Sequence, residues 1–255
     1  MKKLLIIFFC VLFTFVGIKA FARQQQFITK NFISNPNLVS LWNFNGADGS
    51  DYLGRNNGTV SNVSFGNQYG LFGTKGLYSA GAQTDYISIP DSATLDPLNT
   101  LTINCWVYPI ANSGAGFGPI LFKQNTHLND FAQYDIEWEN SKFTFVLAKN
   151  GTVQTVVTQS GTSPANAWYM VTATYNNPNM VLYVNGTNVG TGSFTGPMEV
   201  STNPVYLMSD NNAASFNGWL NGYLEDCIIS SSTVNAATIA DWYTFRSLEG
   251  NGISR

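Results

Sequence analysis

From residue 38 onward, apolar and polar positions alternate in short runs, at 38–44, 86–89, 101–108, 120–123, 133–139, 142–148, 153–159, 168–175, 180–184, 205–208 and 223–229. A period of two over four to eight residues is the pattern of a β-strand with one face buried. Seven Asn-Gly pairs punctuate these runs, starting at Asn45, Asn57, Asn150, Asn185, Asn217, Asn221 and Asn251. Asn-Gly is a strong local signal for a turn with positive φ. One helix is predicted, near the end. Asn235 is placed to cap it, and Ile239, Trp242 and Tyr243 then share a face. No period of 20 to 50 residues repeats and no Pro-rich or charged stretch divides the region, so one domain is expected. Its size suits an all-β, two-sheet antiparallel jelly-roll sandwich with one short C-terminal helix better than an immunoglobulin-like module of about 100 residues.

The first 22 residues differ in kind. Lys2 and Lys3 precede an apolar run at 4–16, and Ala20-Phe21-Ala22 supplies a small–x–small cleavage pattern. That is the layout of a signal peptide, and the run falls short of the roughly 20 residues needed to span a bilayer. Cys10 lies inside the run without the small residues that precede a lipidated cysteine. The expected organisation is therefore a leader at 1–22, a polar arm at 23–37 and a single domain at 38–255. The product would be secreted or cell-surface, with no membrane span after cleavage.

Composition narrows the chemistry. Aromatic residues make up 14% of the chain, with six Trp, twelve Tyr and eighteen Phe, a mixture that favours strands. The net charge of −3 becomes −6 once the leader takes Lys2, Lys3 and Lys19 with it, leaving nine basic residues against fifteen acidic. No positive field is left for phosphates, which removes the main source of affinity for a nucleic acid. His127 is the only histidine, so a multi-histidine metal site is excluded. Cys105 and Cys227 survive cleavage and enter an oxidising compartment, each at an inward position of a predicted strand. They form a disulfide if their strands are neighbours, and remain two buried thiols if not.

Several segments occur together in an order that resembles a known family. Leu41-Trp42-Asn43-Phe44 is followed by Asp51 to Thr59, then by Asp85-Tyr-Ile-Ser-Ile-Pro90 and Leu101-Thr-Ile-Asn-Cys-Trp106-Val107. Trp168 to Tyr175, Leu182-Tyr-Val-Asn-Gly186 and Gly222-Tyr-Leu-Glu-Asp226 complete the set. The chain resembles the laminin-G-like, concanavalin-A-like jelly-roll domains of secreted lectins, adhesins and polysaccharide-degrading enzymes. The resemblance implies a structural calcium near the first-strand loop and the closing acidic pair, which here means Asp51, Asn57 and Asp226, beside Glu225. Asn45 stands where many relatives have Asp. Met208 follows Leu207 where relatives usually carry Gly, which sets the local bend apart from the family pattern.

Candidate chemistry lies in Asp135-Ile-Glu137-Trp-Glu139, whose three carboxylates a strand places on one face. Paired carboxylates serve retaining glycoside hydrolysis, and laminarinase-type hydrolases use this fold with an acidic alternating strand. Their order is Glu-x-Asp-x-Glu, however, so the strand is read first as a solvated polar face on an outer strand, with contact to sugar or calcium as the alternative. Sugar binding also needs exposed aromatic faces. Trp42, Trp106, Trp168 and Trp242 occupy core-like positions, leaving two ligand candidates beside Asp135 and Glu137: Trp219, expected on a loop or hairpin tip between two Asn-Gly turns, and Trp138, which faces away from the carboxylates and has the core as its alternative. The loops 111–118 and 210–215 would flank the site, while His127 reads as an exposed loop residue. Asn57, Asn62, Asn150 and Asn185 head Asn-x-Ser/Thr sequons, three of them within Asn-Gly turns. The expected function is that of a secreted, non-enzymatic module binding a glycan or cell-surface polymer, with structural calcium. The alternatives are an adhesive or self-associating sandwich and, last, a glycoside hydrolase.

Overall fold

The alternating runs become strands of two stacked antiparallel sheets in the computed structural model, which describes residues 32–71, 74–113, 116–123, 132–149, 153–211 and 218–250. One sheet has eight strands: β1 (Leu38–Trp42), β3 (Ser64–Gly66), β4 (Gly76–Ser79), β6 (Thr100–Asn112), β11 (Tyr169–Asn176), β12 (Asn179–Val184), β13 (Thr187–Ser193) and β15 (Leu220–Ser230). The other has seven: β2 (Thr59–Ser61), β5 (Tyr86–Ile89), β7 (Phe117–Lys123), β8 (Tyr134–Glu139), β9 (Lys142–Lys149), β10 (Val153–Thr158) and β14 (Val205–Leu207). The first runs β13-β12-β11-β6-β15-β4-β3, with β1 also on β15, and the second β10-β9-β8-β7-β14-β5-β2. The expected all-β sandwich is what the chain forms.

Inward-facing residues of both sheets make one apolar layer that includes Trp42, Ile103, Cys105, Ile136, Phe145 and Leu224. A second cluster forms on the outer face of the eight-stranded sheet, where α1 (Ala236–Gly250) lays Ile239 and Trp242 over Trp106, Met170 and Ile228. Asn235 caps α1 as the sequence predicts, its Oδ1 accepting from Thr238 N at 2.9 Å, a contact typically worth about 1 kcal/mol. Phe32 packs edge-on against Trp242 with centroids 4.9 Å apart. The last residues of the expected polar arm, 32–37, are thus docked on the domain; the leader and the start of the arm lie outside the described residues.

Four strands escape the alternation pattern: β2, β3, β4 and β13. The first three are short and lie at one end of the sheets, where few apolar residues are needed. β13 carries Gly190 and Gly192 because the facing sheet comes too close for a side chain. A Cβ on either would sit 2.9 or 2.6 Å from a Val157 methyl of β10. Two hairpins use turns with consecutive positive φ: Asn185 (52°) and Gly186 (77°) join β12 to β13, and Asn140 (50°) and Ser141 (62°) join β8 to β9. Met208 adopts φ 72° and is fully buried, so the bend after β14 persists although the residue is not glycine. Its N–H donates to Ile120 O and its carbonyl accepts from Leu220 N, which holds the strained backbone in place.

Candidate functional site

β8 divides as its period requires. Tyr134, Ile136 and Trp138 enter the core, while Asp135, Glu137 and Glu139 face outward from the seven-stranded sheet. Strand pairing extends that outer face sideways: Asp135 lies opposite Val146 of β9 and Phe122 of β7, Phe122 opposite Tyr206 of β14, and Tyr206 opposite Ser88 of β5. Tyr86 meets Tyr206 edge to face at 5.5 Å, and Asn211 Nδ2 donates to the Tyr206 hydroxyl at 3.2 Å. Gln133, two residues before Asp135, is fully buried, and neither its amide oxygen nor its amide nitrogen has a hydrogen-bond partner. Asp135 Oδ1 is also unpartnered, with the residue 3% exposed. Buried polar atoms left without partners are costly, and three of them lie together on this face.

The carboxyls behave as a linked pair. Burial holds Asp135 well above the usual carboxylate range, reinforced by the charge of Glu137, their shared hydrogen bond and the charge of Asp210. Burial also pushes Glu137 up to about 7, with Glu139 adding to the rise and the Asp135 hydrogen bond opposing it. Both carboxyls are thus shifted toward the neutral form, and they share a hydrogen bond. Retaining hydrolysis needs two carboxyls about 5 Å apart on either side of a glycosidic bond. Asp135 and Glu137 are instead hydrogen-bonded to each other, a different arrangement from two carboxyls flanking a bond.

Two expectations need correcting. Trp138 is a core residue, 6% exposed, with Nε1 donating to Ser163 O at 2.9 Å, because period two sends it to the face opposite the carboxylates. Trp219 is not on a hairpin tip: it bridges to Ser209 and leads directly into β15, which contains Asn221 and Gly222. Gly222 serves close approach rather than a turn, since a Cβ there would run into the Tyr108 carbonyl of β6. Trp219 is half-buried, its ring lying over Gly81, where an added Cβ would stand 2.9 Å from Cζ3. Its carbonyl accepts from Ser113 N, and the adjacent Gly218 N donates to Asp210 Oδ2 at 2.9 Å, so the Trp219 backbone adjoins the residue whose charge reaches Asp135. His127, the Asn150 sequon, and parts of the loops 111–118 and 210–215 lie outside the described residues.

A family model described as the concanavalin A-like lectin/glucanases superfamily matches residues 81–240, more than half of the chain. The chain belongs to this superfamily. No curated protein matches it by sequence. Similar solved structures include the binding domain of Paraclostridial Mosquitocidal Protein 1, at 15% identity and TM-score 0.64, covering 81% of this chain and 52% of that one. Another is the binding domain of botulinum neurotoxin DC in complex with SialylT, at 16% identity and TM-score 0.62, covering 83% and 52%. A third is domain 4 of AbnA, a GH43 extracellular arabinanase from Geobacillus stearothermophilus, in complex with arabinotriose, at 14% identity and TM-score 0.59, covering 81% and 98%. The chain spans about half the length of the toxin domains, and at these identities the likeness is one of fold.

Of the residues that the superfamily resemblance assigns to calcium, Asp51 has its carboxylate oxygens engaged by the chain itself. Asp51 accepts from four backbone N–H groups, Leu41 (2.9 Å) and Leu53 (3.2 Å) on Oδ1 and Arg55 and Asn56 (both 3.1 Å) on Oδ2. A carboxylate offers about four lone-pair directions, and these donors take them. Asn57 Oδ1 accepts from Asp51 N, and Asp226 is fully buried at φ 46°. Among the described residues no three His, Cys, Asp or Glu side chains gather as a metal-binding group. Asp51 instead ties the loop 51–57 to β1. Cys105 and Cys227, on neighbouring strands β6 and β15, are both buried thiols sharing a hydrogen bond, and burial pushes the Cys227 thiol well up.

Two measurements check these assignments. Asp51→Ala should cost about 3 kcal/mol in urea denaturation, because buried N–H donors lose their acceptor, and chelation should leave the wild-type thermal midpoint unchanged; a midpoint lowered by chelator would restore the metal. Burial pushes Glu137 up to about 7 in the folded chain from an ordinary carboxyl value of 4.5, so it binds its proton more tightly folded and stability should fall as pH rises from about 4.5 to 7. Glu137→Gln should flatten that slope, and an unchanged slope in the variant would remove the assignment.

Proposed function

We propose that the chain is an exported, non-enzymatic binding module that recognises a glycan through the outer face of the seven-stranded sheet. The observation that carries this reading is the line of unpartnered buried polar atoms on Gln133 and Asp135 beside the rings of Phe122, Tyr206 and Tyr86. Sugars present hydroxyls and C–H surfaces, which call for planar polar groups and aromatic rings together. Glu137 and the Asp135 Oδ1 supply acceptors and the Gln133 amide supplies both a donor and an acceptor, while Trp219 contributes beside them. Binding of arabinotriose and SialylT by proteins of similar fold supports a carbohydrate ligand. The leader pattern at 1–22 supports export. The contact between Cys105 and Cys227 supports a disulfide after oxidation, which would join β6 to β15.

On a glycan array, the mature protein should bind, with Tyr206→Ala and Glu137→Gln each weakening binding about tenfold and Trp219→Ala weakening it less. No glycan binding, alongside a concentration-dependent oligomer, would replace this reading with self-association. The exported product should begin at Arg23 and carry no thiol that reacts after denaturation; a free thiol or an uncleaved leader would contradict the respective assignment.

A further inference from the structure

The outer face of the eight-stranded sheet carries a second feature that neither the family match nor the proposed site uses. Beyond the edge of the cluster under α1, five aromatic side chains form a continuous row: Tyr69, Tyr78 of β4, Tyr223 of β15, Tyr108 of β6, and Trp168 just before β11. Tyr69 stacks on Tyr78 at 5.0 Å and on Tyr223 at 5.4 Å, and Tyr223 stacks on Tyr108 at 5.1 Å, with interplanar angles of 27° to 28°. Trp168 closes the row edge-on to Tyr108 at 5.7 Å. Register places Tyr223 directly opposite both Tyr78 and Tyr108, so these three rings run across adjacent strands at a spacing of about 4.8 Å, with Tyr78 tilted 55° to Tyr223 at 5.5 Å and Tyr69 resting against both.

Rings whose centres are 5 Å apart are too close to lie side by side in one plane. Tyr69–Tyr78, Tyr69–Tyr223 and Tyr108–Tyr223 stack with offset faces, while Tyr78–Tyr223 and Tyr108–Trp168 meet at 55° and 64°. All five are half-buried, and none of the four phenol hydroxyls nor Trp168 Nε1 has a hydrogen-bond partner among the described residues. No charged side chain belongs to the row. Burial and the neighbouring phenols raise the Tyr223 pKa, which keeps its hydroxyl a neutral donor. Because the ring faces are consumed by stacking on one another, little apolar area is left to drive docking of a protein surface. What remains is a preorganised comb of neutral hydroxyls that can both donate and accept, on side chains already immobilised by their neighbours.

We propose that this tyrosine row is a second binding surface, on the sheet opposite the first, for a neutral polysaccharide chain lying across the strands. A polymer with one polyol unit after another meets one hydroxyl per strand, and two such surfaces on opposite faces let one module bridge two chains.

The test separates the two faces. Affinity gels cast with soluble neutral polysaccharides (linear arabinan, xylan and mixed-linkage β-glucan) should retard the mature wild type. The double variant Tyr108→Phe/Tyr223→Phe keeps the stacked rings and removes two hydroxyls; it should bind at least about fivefold more weakly. Glu137→Gln/Tyr206→Ala, on the other face, should retain residual retardation that disappears when the two Phe substitutions are added. The inference is overturned if the Phe variant migrates as wild type, if Glu137→Gln/Tyr206→Ala alone abolishes all retardation, or if no gel retards the wild type. Retardation lost only with the Phe pair would sustain the row while sinking the function proposed for the first face. A wild-type dimer in sedimentation that Tyr223→Phe dissociates would make the row a self-association surface and also overturn the inference.

Discussion

The pairing of β6 with β15 is the contact on which the rest of the structure depends. It joins residues more than a hundred apart, and it places the two longest strands at the middle of the eight-stranded sheet, with β1 and β4 added to β15 and β11 added to β6. Both faces of this pair are covered: the inter-sheet core lies on one, and α1 with Phe32 on the other. Closing so long a loop costs entropy before any contact offsets it. The large apolar area gathered on both faces is what makes the closure favourable. Two irregularities in the pair, at Asn221/Gly222 and between Glu225 and Ile228, reset which residues point outward. Tyr223 and Glu225 both face outward, Glu225 fully buried against Leu71 N and the Thr74 hydroxyl, while Cys227 turns inward beside Cys105.

The two outer faces differ in how they treat polarity. On the seven-stranded sheet, acids and an amide are buried without full satisfaction, and burial pushes both carboxyls of the hydrogen-bonded Asp135–Glu137 pair up. That is an unfavourable arrangement for folding, offset by the well-filled core beneath it. On the eight-stranded sheet the buried acid Glu225 is held by Leu71 N and the Thr74 hydroxyl, and beside it the tyrosine rings pack on one another and carry no charge. One face holds strong but conditional hydrogen-bonding groups, the other weaker and permanent ones. Lys123 shows the contrast with a satisfied buried charge: fully buried, it is held by Asp91 and Asp96, each at 2.8 Å, and by Leu95 O.

Legibility in the sequence followed the range of the interaction. Strands of four or more residues with clean alternation, such as β5, β8 and β9, stood out because period two is a local property. So did the Asn235 cap and the outward set Asp135, Glu137 and Glu139. β13 did not, since its glycines answer to Val157 across the sandwich. Asn221-Gly222 imitated a turn because local composition cannot distinguish a glycine needed for positive φ from one needed for close approach. Trp138 was placed on the correct face and given the wrong role. Trp168 stood among the core-like residues and proved half-exposed, at the end of the tyrosine row.

Local order alone established the sandwich class, the single C-terminal helix and the acidic outer strand, since these depend on spacing along the chain. Only the tertiary structure decided which strands are neighbours, and so which side chains share a face. Phe122, Tyr206 and Gln133 join Asp135, and Tyr78, Tyr223 and Tyr108 line up, through pairings between segments far apart in the chain. The same long-range packing turned Asp51 from an expected metal ligand into an acceptor for four backbone donors. The physical reason is common to all of these: alternation sets which way a side chain points, but strand order sets what it meets there.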